Sequence, residues 1–194
     1  MTNHDTSQTH TDLLAALDRA LAGTDRLITG IDAGQWSAST PCTEWDVRAV
    51  VTHLVSGNLY FAALVRDDPQ PDRSHAPRAD DPIDVYRSSS ATLRTAFAQP
   101  GVLERVYQAP IGPAPGSVLV HLRITELLVH GWDLARATGQ PADLPADLAE
   151  TELAVWRAQF SDGVPDGRPF ASPQPVTAHA PAIDHLAAFL GRPV

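Results

Sequence analysis

From about Ser117 to Thr138 the chain runs as a helical stretch with almost no face suited to water, because Leu122, Ile124, Leu127, Leu128 and Val129 crowd around Glu126 and His130. A helix that is apolar on most sides has to be enclosed by other elements. The elements available to enclose it are themselves helical. The stretch from about Thr11 to Ile31 carries Leu13, Leu14, Leu17, Leu21, Leu27, Ile28 and Ile31 near helical spacing and ends at Gly30 to Gly34. A second helix is expected over roughly 44–66, with Val47, Val50, Val51, Leu54, Val55, Leu59 and Leu64. Its start is read from Thr43 to Asp46, which have the spacing of a capping box, a hydroxyl followed three residues later by a carboxylate.

A third helix is expected over about 82–98, stopping before Pro100 and Gly101, and the fourth, over 117–138, is expected to stop at Gly139. A fifth begins near Pro145 and includes Leu148, Leu153, Val155, Trp156 and Phe160, and a short last helix covers Ala182 to Leu190. Between them, 67–82 reads as a surface loop rich in Asp, Pro and Arg, and Gly163 to Pro175 as irregular chain. Val102 to Tyr107 has room for a short strand, whereas Pro110, Pro113 and Pro115 with Gly112 and Gly116 are expected to force turns. With little strand content and no internal repeat, the expectation is one all-α domain over 1–194, a four-helix bundle with short C-terminal helices and room for a minor strand pair.

Composition narrows the function. The net charge is −9, from 14 positive side chains, all Arg, against 23 carboxylates, which disfavours phosphate backbones and anionic lipid. No apolar run reaches the length of a membrane span, and the polar, acidic start lacks the order of a secretory signal, so a cytoplasmic protein is expected. The single cysteine, Cys42, excludes an internal disulfide and a zinc–thiolate cluster, so any metal is expected on nitrogen and oxygen ligands. Cys42 precedes a helix start, which could lower its pKa, although one unpartnered thiol is usually only a small buried residue.

Glu126 and His130 are four residues apart, about 40° around a helix axis and ~6 Å along it, so they point the same way. If the helix carrying His53 packs against them, two imidazoles and one carboxylate form one side of a coordination sphere and leave the other side open. Each residue also has a plainer role: Glu126 could pair internally with Arg123, and His53 could be a hydrogen-bonded core residue. Gly57 and Tyr60 follow His53 on its face; the glycine would make room beside a metal, or merely let two helices approach, and the tyrosine could offer a hydroxyl to a ligand. Asp133 could accept from a ligand histidine, bind metal itself, or pair with Arg136. Arg123 could anchor a substrate carboxylate or serve a structural ion pair. His121 should face away from the site, and His4, His10, His75, His179 and His185 look incidental.

The blocks TPCTEWDVRAVVTHLV, ELLVHGWDLARATGQPADLP and APAIDHLAAFLGRPV resemble the actinobacterial branch of the DinB-like superfamily related to mycothiol-dependent maleylpyruvate isomerase. The resemblance implies a DinB-like four-helix bundle with a divalent metal, zinc foremost and nickel or another divalent ion next, held by His53, Glu126 and His130. It also implies mycothiol as co-substrate, with the metal activating that thiol for isomerisation or S-transfer; a non-catalytic metal- or thiol-binding or sensing protein of the same fold is the alternative. Tyr60, Asp133 and Arg123 would then orient the reactants. The expected partners are a small-molecule thiol and an electrophile, with no nucleic acid and no membrane, and a homodimer is left open.

Overall fold

The computed structural model describes residues 3–71, 81–160 and 171–194, with side chains from residue 9 onward. Six α-helices are present among them: α1 Asn3–Thr29, α2 Val47–Arg66, α3 Pro82–Phe97, α4 Gly116–Thr138, α5 Ala146–Gln159 and α6 Ala182–Phe189. Most of the expected 67–82 loop, and 163–170 of the expected irregular stretch, lie outside the described residues.

The first four helices form the bundle. α1 touches α3 and α4, and α2 touches the same two, so α1 and α2 stand across the bundle from each other. Contacts along the axis fix the directions. The Thr24 hydroxyl donates to the Leu127 carbonyl at 3.1 Å and the Gln35 amide to the Thr138 carbonyl at 3.0 Å, so α1 and α4 rise together. Arg123 reaches Asn58 while His53 lies by Glu126, so α2 descends. Arg94 pairs with Asp18 and Arg87 with Asp25, so α3 descends as well. α5 and α6 pack on each other and on α4. Enclosed in this way, α4 buries Leu119, Val120, Ile124, Leu127, Leu128, Val129, Trp132 and Leu134 almost completely, as its sequence required. Its polar residues Arg123, Thr125, Glu126, His130 and Asp133 are buried too, so each needs a partner.

α2 is long and apolar enough to cross a membrane by length and composition. Its apolar face is the bundle core, where Val47, Val50, Val51, Leu54 and Val55 are buried. The capping box expected at Thr43 does not start this helix. The Thr40 hydroxyl donates to the Trp45 carbonyl at 2.8 Å and accepts from the Cys42 amide at 3.1 Å, which folds residues 40–45 into a turn. α2 therefore starts three residues later than the cap reading, with Asp46 accepting from the Ala49 amide at 2.8 Å. α4 ends as expected, with Gly139 at its C-cap.

The strand pair is present, displaced from Val102–Tyr107: β1 Val106–Ala109 pairs antiparallel with β2 Gly112–Pro115. Pro113 and Pro115, expected to force turns, lie within β2. The Gly116 amide donates across to the Arg105 carbonyl, so even-numbered residues face the partner strand and the two prolines sit where no N–H is needed.

Candidate metal centre

Two helices and one turn build the site at the end of the bundle where α2 starts and α4 finishes. His53, in the second turn of α2, and His130, in the second half of α4, bring their rings to 4.9 Å between centroids, edge to face. His53 Nε2 lies 3.9 Å from Glu126 Oε1. Atoms bound to one four-coordinate zinc stand about 3.3 Å apart, so this pair closes on a shared ion with a shift of a few tenths of an ångström. Trp45, from the turn that Thr40 ties down, lies tilted against both rings, its centroid 4.5 Å from that of His53 and 5.6 Å from that of His130. The indole covers that flank of both imidazoles. Sequence reasoning passed over Trp45, which read only as part of a helix start.

The proton on His130 is fixed by Asp133. Asp133 is wholly buried; burial alone would raise its carboxyl, but hydrogen bonds from His130 and Arg192 outweigh that and hold it below the ordinary carboxylate range. An ionised carboxylate only accepts, so His130 Nδ1, 3.0 Å from Asp133 Oδ2, is the donor of that bond. A donor at Nδ1 suits a histidine that ligates a metal through Nε2. The alternative pairing of Asp133 with Arg136 is not formed, because Arg136 turns to Asp184 at 3.2 Å.

Glu126 forms the internal pair weighed for it and also lies beside His53. Oε2 accepts from Arg123 Nη1, while Oε1 is the oxygen near His53. Arg123 is fully buried and also donates to Asn58 Oδ1 at 3.0 Å and to the Leu54 carbonyl at 2.8 Å. These bonds commit its guanidinium to Glu126 and α2, which leaves no exposed fork for a substrate carboxylate. Gly57 is the groove for that guanidinium: a Cβ there would stand 2.5 Å from Nη1 and 2.9 Å from Cζ of Arg123. The glycine thus makes room for the arginine that holds Glu126. Replacing it, Gly57→Ala, is expected to cost about 1–3 kcal/mol by overpacking, read as a lowered urea midpoint, and to weaken whatever Glu126 binds.

Tyr60 stays half-buried on α2, two turns beyond His53, with its ring edge-on to Phe61 at 5.4 Å. His121 does face away, its Nδ1 lying 2.8 Å from Glu152 of α5. Of the histidines set aside, His10 pairs with Glu104 at 3.3 Å far from the site, and His75 lies outside the described residues. Cys42 departs from expectation. Ligand atoms of Cys42, His130 and Asp133 lie within 4.8 Å of one another, so sulfur is within reach of the centre after all. Burial raises the thiol pKa, although Arg192 pulls the other way, so the lowering expected at a helix start is absent. Asp133 is a poor ligand in this second set, since both its oxygens already accept from Arg192.

The family model described as the mycothiol maleylpyruvate isomerase N-terminal domain matches residues 10–135. The chain belongs to this family. An uncharacterized protein of Mycobacterium tuberculosis, found in two strains, is 36% identical over 187 residues, covering 94% of this chain and 99% of the relative. The chain also resembles the crystal structure of the mycothiol-dependent maleylpyruvate isomerase, at a TM-score of 0.62 and 16% identity, over 77% of this chain and 72% of that one. A histidine-to-alanine variant of the isomerase superposes with a TM-score of 0.64 over the same shares. The structural likeness shows the all-α, DinB-like bundle.

Proposed function

We propose that this chain is a divalent-metal-binding protein that uses mycothiol, or a similar low-molecular-weight thiol, for isomerisation or S-transfer, with the metal on His53, Glu126 and His130. The observation that carries the reading is that His53 of α2 packs edge to face on His130 of α4 and lies beside the buried Glu126 carboxylate, with Asp133 accepting from His130 Nδ1. Zinc is the first choice for such donors and nickel the second, since affinity follows availability and the divalent series as much as geometry. When bound, such an ion lowers the pKa of a thiol so that thiolate is present at neutral pH.

The chain's own side chains do the rest. Arg123 holds the Glu126 carboxylate, Asp133 holds the His130 ring, and Trp45 covers one side. In this reading Tyr60, on the His53 face two turns along α2, orients the electrophile. The reactants are small molecules, and the cytoplasm, where such thiols are kept reduced, is the compartment the reading requires.

Metal or thiol binding without turnover is the second reading. Protein purified without metal-affinity steps, subjected to elemental analysis and then mixed with mycothiol and maleylpyruvate or other electrophiles, tests both. About one metal per chain with metal-dependent loss of substrate is the expected result. Stoichiometric metal with thiol binding and no product selects the second reading, and absence of metal binding after reconstitution overturns both.

A further inference from the structure

The last turn of the chain enters the site from outside the region that the family model matches. α6 is anchored on α4 by Asp184, which accepts from Trp132 Nε1 at 2.6 Å and from Arg136 at 3.2 Å. Beyond α6 the backbone turns at Gly191, where φ is +92° and a Cβ would stand 2.5 Å from Ala171, so glycine is required. The Arg192 amide then donates to the Ala187 carbonyl at 2.9 Å, which closes the helix end and sends the Arg192 side chain inward. Its guanidinium is 7% exposed and straddles Asp133, with Nε at 2.9 Å from Oδ1 and Nη2 at 3.0 Å from Oδ2. Oδ2 is also the oxygen that receives the His130 Nδ1 proton. Arg192, Asp133 and His130 therefore form one buried row.

We propose that Arg192 is a positioning residue of this centre: through Asp133 it keeps His130 in the Nδ1–H tautomer, with Nε2 presented to the metal. The inference rests on the metal reading for its purpose and on the geometry alone for its content. Arg192 fixes the plane of the Asp133 carboxylate, so that Oδ2 faces His130 Nδ1. Without Arg192 the carboxylate loses its bonds on that side and is free to turn away from Nδ1. The His130 ring then loses the acceptor that favours the Nδ1–H tautomer and aims Nε2 at the site. Partners behind a metal-bound histidine typically alter metal affinity by roughly 10–100-fold.

The test compares wild type with Arg192→Met, Arg192→Gln and Arg192→Lys as full-length protein. Long-range proton–nitrogen NMR on histidine-labelled, metal-free samples reads the His130 tautomer directly, and near-UV circular dichroism confirms packing. Wild type is expected in the Nδ1–H form, with that form lost in Arg192→Met or Arg192→Gln and restored in Arg192→Lys. Zinc competition should show a roughly 10–100-fold weaker site in the two neutral variants. An unchanged His130 tautomer in a folded neutral variant overturns the inference. If Arg192→Met does not fold, Arg192→Gln, which retains a donor and most of the volume, carries the same comparison. Should wild type bind no zinc while the tautomer still follows Arg192, the metal reading fails and the positioning role stands.

Discussion

Arg123→Met is expected to destabilise the protein by about 3–5 kcal/mol, the usual cost of removing one partner from a buried ion pair. The guanidinium has no exposed surface and serves three acceptors at once: the Glu126 carboxylate, Asn58 Oδ1 and the Leu54 carbonyl. Methionine fills part of the space but donates to none of them, so a carboxylate, an amide oxygen and a main-chain carbonyl lose their donor together. Asn58 itself is buried and turns its amide to Ser89 and Ser90 at 3.1 and 3.3 Å, so the disturbance passes from α4 through α2 to α3. For a chain of this length, each kcal/mol is worth about 2–4 °C of Tm, and urea unfolding with an unchanged slope would show the loss as one of stability. Adding Glu126→Gln should recover part of it, because the neutral amide no longer needs the cation. A loss below about 1 kcal/mol in the single variant would show that the pair is not the buried link described.

What was readable from the sequence, and what was not, follows from the range of the forces concerned. The α4 helix was legible because apolar residues on every side permit one kind of environment, and its stop at Gly139 because the signal is local. The start of α2 was misplaced for a physical reason. Thr43 offers the residue type of a cap, but a hydroxyl three residues earlier, Thr40, captures the turn and leaves capping to Asp46. The strand prolines misled because alternation decides whether an N–H is missed, and alternation depends on a partner strand.

The same division runs through the site. Glu126 and His130 on one stripe follow from helix geometry, and a nearby His53 from the pattern and the family resemblance. The Arg123–Glu126 pair is one of the two roles the residues allow, while the orienting role that the resemblance implies for Arg123 does not suit a guanidinium with three protein partners. Asn58 and Arg192 meet their α4 partners across 65 and 59 residues of chain, and Trp45 meets His130 from the turn before α2, so no local spacing announces these contacts. Arg192 lies in the closing block that carries the family resemblance, but nothing in that block shows where its side chain goes; the turn at Gly191 brings it inward.

His53→Ala and His130→Ala are each expected to lower zinc affinity by more than roughly 100-fold, beyond the effect of an outer partner, yet to differ in stability. His53 lies near the start of α2 with 18% of its side chain exposed, so its loss should leave the metal-free fold close to wild type. His130 is 6% exposed and gives Asp133 a hydrogen bond, so its removal should cost about 1–3 kcal/mol even without metal. Asp133 keeps Arg192, which limits the damage. Retention of stoichiometric zinc in either variant would refute the assignment of that histidine. Cys42→Ser separates the two possible donor sets, since Cys42 belongs to the group with His130 and Asp133 and not to the one with His53 and Glu126. Zinc lost in Cys42→Ser and kept in His53→Ala would move the ion to the sulfur side of His130. The opposite pattern, with Cys42→Ser near wild type, is the expected one, because Asp133 is already occupied by arginine and the thiol pKa is raised by burial.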